Sequence, residues 1–90
     1  MLRLRFTGAF KRDRKRAGRR GKALDKLDKV LRQLTNEENL DARFRDHKLS
    51  GEWKDFRECH IERDWLLVYR THAGEITFVR TDIHSDLVEE

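Results

Sequence analysis

The chain has 90 residues, of which 42% are charged and 37% hydrophobic, and this length predicts one small domain over residues 1–90 and excludes two independent cores. Its single cysteine, Cys59, excludes an intrachain disulfide, and no run of about 18 apolar residues or apolar leader indicates a membrane span or export, so we expect a cytoplasmic protein without a membrane partner. Residues 1–22 hold ten Lys or Arg against one acidic residue, a local net charge of +9 that predicts attraction to phosphate backbones.

The first part of the chain predicts one strand followed by two helices. Apolar and basic residues alternate over residues 2–6, as in a half-exposed strand. Thr7 is suited to cap a helix over residues 8–17. A second helix is predicted over residues 22–35, because leucines recur there at helical spacing. The leucines expected in the core are Leu24, Leu27, Leu31 and Leu34.

The second half predicts three strands after a polar loop over residues 36–52. Residues 53–61, 64–70 and 75–83 are rich in aromatic and β-branched side chains and are separated by short connections. The resulting order is β-α-α-β-β-β. An antiparallel sheet with both helices packed on one face buries the leucines and the strand residues together, so we expect an α+β fold.

Three short stretches combine histidine with charged or aromatic residues. They are Asp46-His47-Lys48-Leu49, His60-Ile61-Glu62-Arg63-Asp64-Trp65 and Arg80-Thr81-Asp82-Ile83-His84. Histidine both takes and gives a proton near neutral pH, and beside arginine and aspartate it indicates acid/base chemistry on a charged substrate. In a basic chain, the expected substrate is a phosphodiester and the expected protein a small ribonuclease.

The lengths of the two hairpin loops decide which of these side chains share a face of the sheet. Three-residue loops in both hairpins would place His60 opposite Asp64. They would also place Arg80 opposite Leu66, on the same face, whereas a two- or four-residue second loop would turn Arg80 away. Trp65 falls on the opposite face, where it is either core or brought round by local twist. Alternatively, Arg80 forms only a surface ion pair with Asp64 or Asp82, which would stabilise little.

Taken in order, the motifs resemble the RelE-type toxins of bacterial toxin–antitoxin systems, and within them the YafQ branch. The resemblance covers essentially the whole chain. It rests on the leucine-rich second helix and on Phe10-Lys11-Arg12-Asp13, Asp46-His47-Lys48-Leu49-x-Gly51-x-Trp53, His60-x-Glu62-x-Asp64-Trp65-x-Leu67-x-Tyr69 and Arg80-Thr81-x-x-His84. It implies the fold derived above and a ribosome-dependent endoribonuclease that enters the A site, contacts ribosomal RNA and cuts the messenger RNA there.

The resemblance also nominates the functional residues. Carried over position by position, they are His47, His60, Asp64, Trp65, Arg80 and His84. The family pattern has a further aromatic residue four positions after the last histidine, where this chain has Val88, so either Trp65 takes more of the base stacking or the base is held differently.

Attack of a ribose 2′-hydroxyl on the adjacent phosphate requires a base, an acid and positive charge on the phosphoryl oxygens. His84 is the expected principal acid/base and His60 or His47 its counterpart. Arg80 is expected to stabilise the developing charge. Asp64 either orients His60 across the hairpin or is itself the base. We expect no cofactor and no metal, although a metal site at His60, Asp64 and His84 is an alternative without supporting ligand spacing.

Two kinds of macromolecular partner are expected. The basic residues of the first helix should dock on ribosomal RNA, unless they are only a solvated face or an antitoxin site. These residues are Arg12, Lys15, Arg16 and Arg19. The resemblance also implies a cognate antitoxin of ribbon-helix-helix type, a monomeric free toxin and a hetero-oligomeric complex. The functional alternative is a ParE-like toxin of the same fold that inhibits a DNA topoisomerase without catalysis.

Overall fold

The structure, a computed structural model, describes residues 1–83. In this part of the chain two helices cover one face of a five-stranded sheet whose strand order is β1-β5-β4-β3-β2. The elements in chain order are β1 (Arg3–Phe6), α1 (Gly8–Arg19), α2 (Leu24–Thr35), β2 (His47–Lys48), β3 (Arg57–Glu62), β4 (Trp65–His72) and β5 (Glu75–Asp82). Single turns of 3-10 helix precede and follow β2, at Ala42–Phe44 and Gly51–Trp53.

The two predicted helices are confirmed, with ends that differ by two residues. Thr7 caps α1, because its hydroxyl oxygen accepts a hydrogen bond from the Phe10 amide at 2.9 Å. The same hydroxyl donates to the Val79 carbonyl at 2.7 Å, which fixes the start of α1 against β5. Helix α2 buries three of the four predicted leucines and Val30, while Leu24 is partly buried. No helix among residues 1–83 has the length and apolar character needed to cross a membrane.

The α+β class is confirmed, but the sheet is mixed where we expected it to be antiparallel. Strand β1 runs parallel to β5, pairing Arg3 with Glu75 and Phe6 with Phe78, while all other neighbouring strands are antiparallel. The parallel pairing is possible because α1 and α2 cross over the sheet between β1 and the later strands. Periodicity in β1 predicts a strand without indicating its partner or direction.

The helices and the sheet enclose the main core. Buried residues of α1 and α2 pack on Trp65, Leu67, Tyr69, Ile76 and Phe78 of the two longest strands. A second, smaller cluster lies on the other face of the sheet, where Leu49 and Val68 pack with half-buried aromatic residues. One face of the sheet is therefore closed by helices, and the other is closed only in part.

Residues 53–56 are not extended, so the prediction that they begin a strand is wrong: Trp53 ends the second 3-10 turn, and a turn at residues 54–55 follows it. The aromatic residues that suggested a strand pack instead on the open face of the sheet. Trp53 and Phe56 meet edge to face with ring centroids 5.2 Å apart, over Leu49 and Val68. Strand β3 consequently begins at Arg57.

Both hairpins have two-residue turns, so the expected registers are wrong. In the first hairpin His60 pairs with Leu66, not with Asp64, and Ile61 is an extra residue in a bulge. In the second hairpin Arg80 pairs with Val68, not with Leu66. Its turn is Ala73-Gly74, with φ of 50° and 78°, and two successive positive φ angles are typical of a tight type I′ hairpin turn.

Candidate active site

Three polar side chains lie together on the sheet face that the helices leave open. His47 on β2 is paired with Glu58 on β3, and His60 follows Glu58 by two residues, which places all three on one face. The two imidazole rings have centroids 6.4 Å apart and planes inclined by 32°. The structure thus brings together His47 and His60, which sequence reasoning nominated as alternatives for one role.

Hydrogen bonds fix the orientation of both imidazoles. His47 Nδ1 lies 2.7 Å from the Arg45 carbonyl oxygen, and His60 Nδ1 lies 3.3 Å from the Arg63 carbonyl oxygen. Because a carbonyl only accepts, Nδ1 is the donor in each pair. The nitrogen whose protonation can change is therefore Nε2 in both rings. Arg45 has φ of 53°, a left-handed conformation that is costly for a side chain other than glycine, and it places the carbonyl that holds His47.

Glu58 is a site residue that sequence reasoning missed. Its side chain is 5% exposed, and its Oε1 lies 3.5 Å from His47 Nε2. At this distance Glu58 and His47 form an ion pair whenever the imidazole is protonated. The signal in the sequence was the i, i+2 spacing of Glu58 and His60 on a predicted strand, which puts both on one face.

A polar network supports His47 from the side of the main core. The Tyr69 hydroxyl donates to Asp46 Oδ1 at 2.6 Å, and Arg57 Nε donates to the same oxygen at 3.3 Å. Burial and the hydrogen bond to Asp46 raise the pKa of Tyr69, so the phenol stays protonated as a donor. Asp46 precedes His47 in the chain, so the network fixes the backbone that carries the imidazole.

Asp64 lies in the β3–β4 turn and does not lie across the hairpin from His60. Its side chain is 64% exposed, and its Oδ1 is 3.7 Å from Lys22 Nζ. The hydrogen bond that we expected Asp64 to give His60 is made instead by the Arg63 carbonyl. The expectation was wrong because the bulge at Ile61 and the two-residue turn shift the register.

The end of β3, next to the turn that carries Asp64, is bound to α2 and to the segment just before it. Lys22 Nζ and Lys26 Nζ each lie 3.0 Å from a Glu62 carboxylate oxygen. Hydrogen bonding to Glu62 raises the pKa of Lys22, and hydrogen bonding to the two lysines lowers the pKa of Glu62. The Lys22 ammonium also lies 5.8 Å from the ring centroid of Trp65.

The backbone register puts Arg80 in line with the sheet face of His60, by a different route from the one expected, but its guanidinium is held by helix α1. The two-residue turn would place it on the helix side, and a bulge at Val79 reverses this, so that Arg80 pairs with Val68. Its principal partner is Asp13 of α1, at 2.7 Å from Nε and 3.2 Å from Nη2. This hydrogen bonding raises the pKa of Arg80. The alternative of a surface pair with Asp64 or Asp82 is therefore wrong, since Asp82 adds only a weaker charge interaction.

Trp65 is fully buried, so the structure does not support the prediction that it stacks on a base. Its ring lies in the main core, and its indole Nε1 donates to the Thr81 hydroxyl at 2.9 Å. That hydroxyl in turn donates to the Leu66 carbonyl at 2.7 Å. Trp65 therefore links β4 to β5 at Thr81, the residue that follows Arg80.

The remaining predicted residues fall into two groups. Arg12, Lys15, Arg16 and Arg19 are all exposed on α1. His84 and Val88 lie outside the described residues. Among residues 1–83, no three His, Cys, Asp or Glu side chains are arranged to hold a metal ion. Burial raises the pKa of the Cys59 thiol, which opposes its use as a nucleophile.

Comparison with known proteins identifies the family of the chain. Residues 2–89 match the family model of the bacterial toxin of type II toxin–antitoxin systems, YafQ. The chain is 35% identical over 85 residues to the mRNA interferase toxin YafQ of Escherichia coli strain K12. The matched region covers 93% of this chain and 92% of that protein.

Solved structures agree with this match. The YafQ toxin complex with DinJ from E. coli is similar with a TM-score of 0.88 and 33% identity, covering 99% of this chain and 100% of that one. A copper-bound mutant toxin from Helicobacter pylori is similar with a TM-score of 0.92 and 39% identity, covering 98% and 100%. This chain therefore belongs to the YafQ family of toxins of bacterial type II toxin–antitoxin systems.

Proposed function

We propose that this protein is an endoribonuclease that cuts messenger RNA in the ribosomal A site by metal-independent acid/base catalysis. The observation that carries the proposal is the pair of imidazoles, His47 and His60, whose rings lie 6.4 Å apart with both Nδ1 atoms anchored to backbone carbonyls. Two oriented Nε2 atoms on an open face suit a reaction that needs one base and one acid. The E. coli relative is named an mRNA interferase, which supports this reaction class.

The proposed reaction is an in-line transfer within the RNA. A base removes the proton of the ribose 2′-hydroxyl, and the 2′-oxygen forms a bond to the adjacent phosphorus. The bond from phosphorus to the 5′-oxygen breaks, and an acid gives that oxygen a proton. The products are a 2′,3′-cyclic phosphate and a 5′-hydroxyl, and no atom changes its oxidation state.

The roles of the side chains follow from their positions and, for His84, from the family resemblance alone. His84 is the proposed principal acid/base, with His60 or His47 as its counterpart. The charge of Arg80, whose backbone register is in line with the sheet face of His60, stabilises the phosphoryl oxygens. Asp64, exposed at the turn beside this face, is retained as a candidate for contact with the RNA.

Binding to the ribosome is assigned to α1. Its exposed basic residues face solvent, where they can neutralise phosphates of ribosomal RNA without reading its sequence. This separates attachment, on a helix, from the imidazole pair, on the open face of the sheet.

Silencing is assigned to a cognate antitoxin. The E. coli YafQ toxin is found in a complex with DinJ. We infer that this chain likewise binds an antitoxin, and that this antitoxin is of the ribbon-helix-helix type. The free toxin is then a cytoplasmic monomer and the silenced form a hetero-oligomer. Such an arrangement is needed because a toxin that stops translation must be inactive in its own host.

The proposal is tested by inducing the toxin in cells and mapping RNA ends by primer extension, with DNA damage measured in parallel. The parent protein should give stops within translated codons and no DNA damage. His60→Ala and His84→Ala should lose the stops. His72→Ala is the matched control, because His72 is exposed at the far end of β4, and it should keep them. DNA damage without RNA stops would instead identify a topoisomerase inhibitor.

A further inference from the structure

The buried carboxylate of Asp13 is a polar group that the proposed reaction does not use directly. Asp13 lies on the inner side of α1, and its side chain is 3% exposed. It accepts three hydrogen bonds from β5: from Arg80 Nε at 2.7 Å, from Arg80 Nη2 at 3.2 Å and from the Thr81 amide at 3.2 Å. Asp13 thus holds both the guanidinium and the backbone next to it.

The way in which Asp13 holds Arg80 leaves most of the guanidinium available. A guanidinium has five N–H donors in one plane, and Asp13 takes two of them, one on Nε and one on Nη2. The three that remain, two on Nη1 and one on Nη2, point away from the carboxylate. They form a second edge suited to two oxygens of a phosphate. The Arg80 side chain is 37% exposed, so part of it reaches solvent.

We propose that Asp13 is a positioning residue for Arg80, which it holds by the Nε edge so that the Nη1 edge meets the phosphate that is cut. The inference rests on the proposed function, because it assumes that Arg80 acts on that phosphate. A long arginine side chain loses rotamer freedom when it binds, and a partner that fixes it beforehand removes that cost from the reaction. Asp13 also couples the basic helix α1, which is proposed to dock on ribosomal RNA, to the strand that carries the charge.

The test is Asp13→Asn, assayed under single-turnover conditions in a purified translation system with a defined messenger RNA. The maximal cleavage rate should fall about 10- to 100-fold, because a charge is misplaced. The ribosome concentration at half-saturation should stay the same, because Arg16, which lies 3.7 Å from Asp13 Oδ1 and belongs to the docking face, keeps its charge. The matched control is Asp28→Asn. Asp28 is held by Arg14 through the same Nε and Nη2 atoms, at 3.2 and 2.7 Å, on the exposed side of the helix pair. Its rate should remain within about twofold of the parent.

A double-mutant cycle with Arg80→Gln separates positioning from a merely structural role. Glutamine keeps a donor for Asp13 but has no charge. If Asp13 acts through Arg80, then Asp13→Asn should lower the rate in the parent and leave it unchanged in the Arg80→Gln background. Equal losses in both backgrounds, or a parent-like rate for Asp13→Asn, would overturn the inference while leaving the proposed function intact.

Two further outcomes complete the test. If Arg80→Gln cuts as fast as the parent, the assignment of charge stabilisation fails, and the role of Asp13 fails with it. If Asp13→Asn does not fold at the assay temperature, Asp13→Glu takes its place, because it keeps the negative charge beside Arg80 and moves the carboxylate by one methylene. It should show the same fall in maximal rate, and a parent-like rate would again overturn the inference.

Discussion

At the scale of single residues, each of the described site side chains is oriented by a neighbour through one edge or one nitrogen. His47 and His60 are oriented by the carbonyls of Arg45 and Arg63, and Arg80 is oriented by Asp13. The sequence predicted the identity of the catalytic candidates but not these partners. Two of the partners are backbone oxygens, which every residue has, and Asp13 is 67 residues away from Arg80 in the chain.

Replacement of Arg80 should cost stability, because it leaves Asp13 buried without its main partner. We expect Arg80→Ala to lower the free energy of unfolding by about 2 kcal/mol, less than a fully buried pair would cost because the arginine is partly exposed. Arg14→Ala is the control, since its partner Asp28 is 42% exposed, and it should lose less than about 1 kcal/mol. Denaturant unfolding of both variants checks this, and equal losses would contradict it.

Catalysis by imidazoles requires no bound transition metal. Cleavage in a purified translation system should therefore persist when a chelator selective for zinc and copper is added and magnesium is kept for the ribosome. The copper-bound relative from H. pylori makes the measurement informative. Loss of cleavage that one added metal restores would contradict acid/base catalysis by the histidines alone.

At the scale of elements, tertiary contacts decide what local sequence does not. The cap at Thr7 and the leucine spacing of α2 were confirmed, because both depend on neighbours within a few residues. The registers of both hairpins were wrong, because bulges at Ile61 and Val79 have no sequence signature. The backbone alignment of Arg80 with the face of His60 was still found, since the short turn and the bulge at Val79 each reverse the face once.

The tether between α2 and the β3–β4 turn should depend on pH. The pKa of Glu62 is lowered by hydrogen bonds to Lys22 and Lys26, so its stabilising effect is present above the ordinary glutamate pKa and is lost as the pH falls through the lowered value. Glu62→Gln should therefore lower the free energy of unfolding at pH 7, by about 0.5 to 1 kcal/mol. The difference from the parent should disappear in acid.

Glu75→Gln is the control for this measurement. Glu75 is exposed to a similar degree and lies 3.5 and 3.7 Å from two arginines of β1. It should change the unfolding free energy less than Glu62→Gln at pH 7, because its partners are farther away. A Glu62→Gln effect of the same size at pH 7 and in acid would contradict the ion pair as the cause.

At the scale of the whole molecule, the exposed basic residues of α1 and the imidazole pair His47–His60 lie on different surfaces. The excess of basic residues over residues 1–22 was read from the sequence, and the structure exposes several of them on α1. His47 and His60 lie on the open face of the sheet. Composition predicts such a charged surface well, because charged side chains are rarely buried. It does not predict where that surface lies relative to the site.

The basic face of α1 should make ribosome binding depend on salt. Replacement of its four exposed basic residues by glutamine should weaken co-sedimentation with ribosomes and flatten the dependence of binding on salt concentration. The changed residues are Arg12, Lys15, Arg16 and Arg19. The matched control removes four exposed cations from β1 and α2 instead, namely Arg3, Arg5, Lys29 and Arg32. An equal effect of both sets would indicate that total charge, not α1, attracts the ribosome.

The central claim is that the protein cuts ribosome-bound messenger RNA by attack of a 2′-hydroxyl. The most direct measurement is the chemistry of the new RNA ends in a purified translation system, compared with a messenger that carries a single 2′-deoxy nucleotide at the cleavage position. Attack of the 2′-hydroxyl should leave a 2′,3′-cyclic phosphate and a 5′-hydroxyl on the natural messenger, and no cleavage should occur at the deoxy position. New ends that carry a 5′-phosphate, or unchanged cleavage at the deoxy nucleotide, would contradict it.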